Sequence, residues 1–175
     1  LGPSFPTRRS SDLDKVGGVA SITNNCSNYQ SISVPYIDVK DMIPFAEANN
    51  ISNPNKWEEK VRLVAFCMLI KREVLNKIGI MDERFSPGNF EDDDLCMRII
   101  EAGYKMMLCN DSFIHHFGSS SFKKNHTKFS NILAVNRKKI ENKWGFNSNT
   151  ASTVKFDIIE RINEYKENEF NILEF

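Results

Sequence analysis

The 175-residue chain balances twenty-three Lys and Arg against twenty-three Asp and Glu, and 41% of it is hydrophobic, with thirteen Phe. That length suits one ordinary domain or a piece of a larger one, with enough apolar material for a sizeable core. Charge neutrality argues against general electrostatic binding to nucleic acid, and no apolar run approaches the roughly 20 residues that span a bilayer, so neither a nucleic-acid partner nor a transmembrane segment is expected.

Residues 1–13 read as a non-native or disordered leader. Phe5 to Leu13 (FPTRRSSDL) matches the in-frame translation of a common sequencing adapter, and such a scar is set aside from fold reasoning. Native sequence is then expected from near Asp14. Val16 to Ile22 (VGGVASI) predicts a strand that stops at Thr23-Asn24-Asn25, and strand ends are where ligands commonly bind in α/β folds. Residues 26 to 57 are polar, with Pro35, Pro44 and Pro54. They read as a long loop, a frequent site of functional lids, holding one short helix in DMIPFAEANN. Trp57 is a candidate for stacking on a sugar, against the commoner role of packing.

Val61 to Ile70 (VRLVAFCMLI) predicts a buried strand, and KREVLNKIG after it a short helix capped by Gly79. Met81 to Asn89 is a turn-rich connection. A helix is predicted over Phe90 to Ala102, ended by Gly103, then a strand at Lys105 to Cys109 and a further apolar segment from Asp111 to His116. After a Gly-Ser loop at 118 to 121, Thr127 to Trp144 is helical, with Ile132, Val135, Ile140 and Trp144 on one face and Gly145 as the stop. Residues 147–175 read as a linker and a C-terminal amphipathic helix carrying Phe156, Ile159, Ile162 and Tyr165. Strands alternating with helices indicate an α/β class. The four cysteines are far apart with no C-x-x-C pair, which suits reduced thiols in a cytoplasmic protein.

The richest stretch is Phe90-Glu91-Asp92-Asp93-Asp94-Leu95-Cys96-Met97-Arg98. Helical spacing groups Asp94 with Arg98, Glu101 and Lys105 in a solvated stripe of alternating charge. Asp92 instead shares a face with Leu95, Cys96 and Ile99, at the top of a buried surface where a cleft would open. Acids in a first turn also complement the helix dipole, by about 0.3–1 kcal/mol, and most such clusters do nothing else. His115 and His116 follow 23 and 24 residues after Asp92, and an acidic helix start with a strand-end His fits a divalent-metal site.

The run from Phe66 to Lys105, the later IHHFGSSSF and the closing NKWG together resemble the second half of the GT-A domain of bacterial family 2 glycosyltransferases. The resemblance covers residues 14–146 with unbroken order and spacing. It implies a partial GT-A, Rossmann-like domain that lacks its N-terminal half, and an enzyme moving a sugar from a nucleotide-sugar donor to a glycan, lipid-linked or protein acceptor with inversion. By the same resemblance Asp92 is the general base and Glu91 its support. His115 or His116 binds a divalent metal, Mn²⁺ or Mg²⁺. Asp82, Glu83, Gly88 and Asn89, with Asp93, lie on the acceptor side, where a turn with a cap is an equally good reading of the first four. Asn24, Asn25 and Trp57 are weaker substrate-binding candidates.

One departure bears on activity. The family's nucleotide-gripping strand and its D-x-D aspartates have no counterpart here, since Asp92 and Asp94 match that spacing only inside a helix. This chain alone is therefore expected to be inactive, within a parent enzyme that is cytoplasmic, at the inner membrane face or away from it. A metal-dependent hydrolase and a non-catalytic interaction module using the C-terminal helix are the rival readings.

Overall fold

Seven residues, Val16–Ile22, form strand β1, and all but Val19 are buried. A strand covered on both faces reads as a continuous apolar run rather than an alternating one. Its small residues matter: a Cβ at Gly17 would lie 2.7 Å from Cβ of Tyr104 and 2.9 Å from Cγ2 of Ile99. Glycine there lets a helix lie directly on the strand. The computed structural model describes residues 14–117 and 126–145; the leader, the Gly-Ser loop and the C-terminal segment predicted above lie outside them.

The protein is a mixed α/β structure. Strands β2 (Trp57–Glu59), β3 (Met68–Ile70) and β4 (Lys105–Phe113) join β1 in the order β2-β4-β1-β3. β4 runs parallel to β1, while β2 and β3 lie antiparallel to their neighbours at the two edges. The helices are α1 (Met42–Asn49), α2 (Arg72–Ile78), α3 (Glu91–Glu101) and α4 (His126–Trp144). Ala20, Ile22, Leu63, Val74, Leu95, Cys96, Ile99, Met106, Leu108 and Phe113 build the core between the sheet and α2 and α3. No described helix is long and apolar enough to cross a membrane.

Several expectations hold. β1 matches its predicted bounds, α2 ends at Gly79 with φ of 82°, and α3 ends before Gly103 with φ of 86°. The predicted helix in DMIPFAEANN is α1. The two segments expected between Lys105 and His116 are one strand, broken by an irregularity where pairing passes from Ser21–Cys109 to Ile22–Phe113. Extra residues on one strand bend it locally, so Asn110-Asp111-Ser112 read as an interruption.

Other expectations need correction. Val61 to Ile70 is not one buried strand: only Met68–Ile70 pairs, at the sheet edge, with Leu69 half exposed. The loop expected to run to residue 57 ends in edge strand β2, whose two glutamates blunt an open edge. Asp94 is not on a solvated stripe, since it is fully buried. The end of α4 lies across that side of α3 and places Lys143 Nζ at 2.6 Å and Trp144 Nε1 at 2.9 Å from Asp94 Oδ1, while Arg98 Nε reaches Oδ2 at 2.8 Å. The buried side of α4 is also shifted: Asn136 and Ile140 are buried and Val135 is 52% exposed. Asn136 spends its amide on the carbonyls of Phe85 at 2.6 Å and Gly88 at 2.9 Å, a polar role that apolar periodicity does not reveal.

Candidate active site

The site is built around five consecutive residues, Arg62 to Phe66, that cross the start of α3 outside any strand. An irregular buried backbone needs partners for its amides, and here side chains supply them. Leu63 N donates to Cys96 Sγ at 3.4 Å, Val64 N to Gln30 Oε1 at 2.6 Å and Ala65 N to Asp92 Oδ2 at 3.2 Å. Arg62 pairs with Asp93, and the ring of Phe66 stacks on His116, centroids 5.4 Å apart and planes 19° apart. This strap brings Asp92 and His116, from different elements, to adjacent residues of one segment.

Asp92 is held by backbone on both oxygens, since Oδ1 accepts from Asp93 N at 2.9 Å. Its neighbours carry the electrostatic strain. Burial, then the charge of Asp92, pushes the Asp93 carboxyl up to about 6, against the pull of Arg62. Burial also raises Glu91, aided by the charges of Asp92 and Asp93. Glu91 Oε2 and Asn89 Nδ2 are buried without a hydrogen-bond partner among the described residues, an exception to the usual pairing of buried polar groups. Just before α3, Asn89 and Phe90 both adopt φ of 74°, a left-handed conformation costing a non-glycine residue about 1–3 kcal/mol and concentrated at functional sites.

At the other side, β1 ends in the residues that fix His116. Asn24 Oδ1 accepts from His116 N at 2.7 Å, and His116 Nδ1 lies 2.7 Å from the Asn25 carbonyl. A carbonyl only accepts, so Nδ1 carries a proton, and in the neutral ring Nε2 then holds the lone pair. That is the tautomer in which a metal-binding His is usually held. His115 points elsewhere: its Nδ1 is 2.8 Å from the Tyr36 hydroxyl, and its ring lies between Tyr36 and Phe117. No three His, Cys, Asp or Glu among the described residues converge closely enough to hold a metal ion.

The remaining candidates separate by position. Asn24, Asn25, Glu91, Asp92, Asp93 and His116 belong to or border the strap. Asp82 does not: it caps the turn at Glu83–Phe85 through Arg84 N at 3.1 Å and pairs with Lys143 at 2.9 Å. The Arg84 and Lys143 contacts hold its carboxyl well below the usual range. Glu83 is exposed in that turn, and the Gly88 and Asn89 carbonyls both accept from Asn136. Trp57 opens edge strand β2 with its indole N–H on Asp111 at 2.8 Å, a packing role. Sequence reasoning missed Gln30, which is fully buried and also donates to Ser21 O at 3.1 Å and Val64 O at 3.3 Å. Its only signal was a glutamine in a polar run, which usually means solvent.

No family model matches the chain, and no curated protein or solved structure is significantly similar to it.

Proposed function

We propose that this chain is the acceptor half of a GT-A domain in a family 2 glycosyltransferase, and that the parent enzyme transfers a sugar from a nucleotide to an acceptor hydroxyl with inversion. The observation that carries the reading is the strap, which joins the carboxylate and one of the two imidazoles that the family resemblance leaves open. Asp92, fixed by two backbone amides and with lone pairs to spare, takes the proton of the acceptor hydroxyl as its oxygen bonds to the anomeric carbon and the bond to the diphosphate breaks. Glu91 and Asp93 surround that base with carboxyls whose charge is disfavoured. His116, whose Nδ1–H is fixed by the Asn25 carbonyl and whose ring lies on the strap, is the better of the two histidines for a divalent ion; such an ion would neutralise charge on the leaving diphosphate. The other ligands and the nucleotide-binding strand would come from the other half of such a domain, for which the outer edge of β3, open among the described residues, offers a place.

The test is nucleotide release from UDP-, GDP- and dTDP-sugars with Mn²⁺, using the proposed parent enzyme. Release by wild type and a drop of about 10²–10⁴-fold in Asp92→Asn support the reading. Release that survives Asp92→Asn moves the base elsewhere. A folded protein that neither binds nor turns over any donor overturns the transferase.

A further inference from the structure

An exposed apolar pair stands beside the end of α4. Ile80 is 69% exposed and Met81 42%, in the irregular segment that follows α2. That segment is nevertheless fixed: Arg98 donates to the carbonyls of Ile78 and Ile80, each at 2.8 Å, and its Nε sits on Asp94 at 2.8 Å. The next residue, Asp82, pairs at 2.9 Å with Lys143 in the last turn of α4, and Lys143 also reaches Asp94 at 2.6 Å. Gly145, with φ of 74°, ends α4 there. The chain therefore leaves α4 next to a held backbone that carries two large, exposed apolar residues.

We infer that this pair is the docking surface for residues 154–165 of the same chain, which fold back from α4 over the junction of α3 and α4. Reach, pattern and charge select this occupant. Residues 146–153 connect Gly145 to Val154, and that length of extended chain covers up to about 26–29 Å, whereas Met81 adjoins a residue already held by Lys143. Phe156, Ile159, Ile162 and Tyr165 recur at the spacing of one helical face, a stripe that needs apolar cover. Residues 135–144 of α4 hold four Lys and Arg against one Glu, and counting Asp82, Glu83 and Arg84 of the adjoining turn leaves five bases against three acids. Residues 154–175 hold six Asp and Glu against three Lys and Arg, so the two surfaces attract. Ile37 is also fully exposed, but it shares its groove with the carboxylates of Asp38 and Asp41, the charge that the segment itself carries. Docked on Ile80 and Met81, the segment is an internal clasp on α3 and α4 and no longer a free binding element. The inference does not depend on the transferase reading.

Methyl NOE spectra and amide hydrogen exchange of the 175-residue chain test the inference. The expected result is NOEs from Ile80 and Met81 to Phe156, Ile159 or Ile162, with the amides of residues 154–165 protected from exchange. Ile80→Asp, at an exposed position, should lower that protection about tenfold or more, and Ile159→Asp should do the same from the other side of the contact. If Ile80→Asp loses its dispersed spectrum, Ile159→Asp decides, because it leaves Ile80 and its backbone untouched. An equal mixture of isotope-labelled and unlabelled chain separates contacts within one chain from contacts between two copies. The inference fails if the amides of residues 154–165 exchange at the rate of an unfolded chain, or if their NOEs join the segment to other residues. It fails equally if the NOEs arise only between copies, or if neither variant lowers the protection.

Discussion

The amide of Ala65 donates to Asp92 at 3.2 Å, one residue before Phe66 lies against His116. That contact joins the start of α3 to the end of β4 through a segment with no regular structure of its own. Gln30 determines where the segment sits. It satisfies the N–H and the C=O of Val64 and also holds Ser21 O, so it does the work of a ladder without a strand.

Gln30→Ala should therefore cost more than an average polar truncation. It strands a buried amide and leaves buried carbonyls short of a donor, at about 1–3 kcal/mol for each group left unsatisfied. Urea unfolding should show a loss of about 2–4 kcal/mol, and the ring shifts that Phe66 imposes on His116 should collapse in the NMR spectrum. A loss below about 0.5 kcal/mol, within the range of ordinary surface substitutions, would mean the strap holds without Gln30.

A second prediction concerns the tether between α3 and α4. Asp94 is fully buried and receives Arg98, Lys143 and Trp144. Removing one partner of a buried pair costs about 3–5 kcal/mol because the other charge is left uncompensated. Asp94→Ala should fall near that range, and Trp144→Phe, which removes only a donor, near 1 kcal/mol, about one hydrogen bond. In a double-mutant cycle the two losses should fail to add. Additive losses would show that the indole and the carboxylate act independently.

The contrast between these two acids marks what could be read in advance. β1, α2 and α3 were legible because glycine stops and apolar periodicity are local properties, and the inward face of Leu95, Cys96 and Ile99 follows from helical geometry alone. Asp92 and the histidines were singled out as candidates, Asp92 by its helical face and all three by the family resemblance. The burial of Asp94 was not, because it depends on α4 arriving from 32 or more residues later. Nor was the strap: Val61 to Cys67 is apolar enough for a strand, yet its amides are taken by Cys96, Gln30 and Asp92 before a ladder can use them. Trp57 was weighed as a sugar platform against packing, and only the fold decides, by setting its indole N–H on Asp111.

Packing at Gly17 gives a third prediction. A methyl group there would meet Tyr104 Cβ at 2.7 Å and Ile99 Cγ2 at 2.9 Å, atoms too near their backbones to move aside cheaply. Gly17→Ala should destabilise by about 1–3 kcal/mol through overpacking, although alanine suits a strand better than glycine. Thermal melting of the variant reads the sign directly. An unchanged or raised Tm would mean that α3 can shift off the sheet without loss.

The acidic cluster gives the last prediction, through pH. Burial and the charge of Asp92 hold Asp93 at about 6, above the roughly 3.9 of an unfolded aspartate. Between those values the folded protein binds more protons than the unfolded chain, so stability falls as pH rises through this window and levels off above it. The contribution is about 1–3 kcal/mol, and the raised Glu91 carboxyl acts in the same direction. Asp82, held low by Arg84 and Lys143, acts in the opposite direction and at more acid pH. Comparing the variant with wild type removes that background. Asp93→Asn imitates the protonated acid, so its stability should fall less than that of wild type between pH 4 and pH 7 in urea titrations. At pH 4 the wild-type carboxyl is itself protonated and has no ion pair with Arg62 to lose, so variant and wild type should start level and the variant should be the more stable by pH 7. A variant that falls below wild type as pH rises would mean that Arg62 outweighs burial and that Asp93 is an ordinary paired carboxylate.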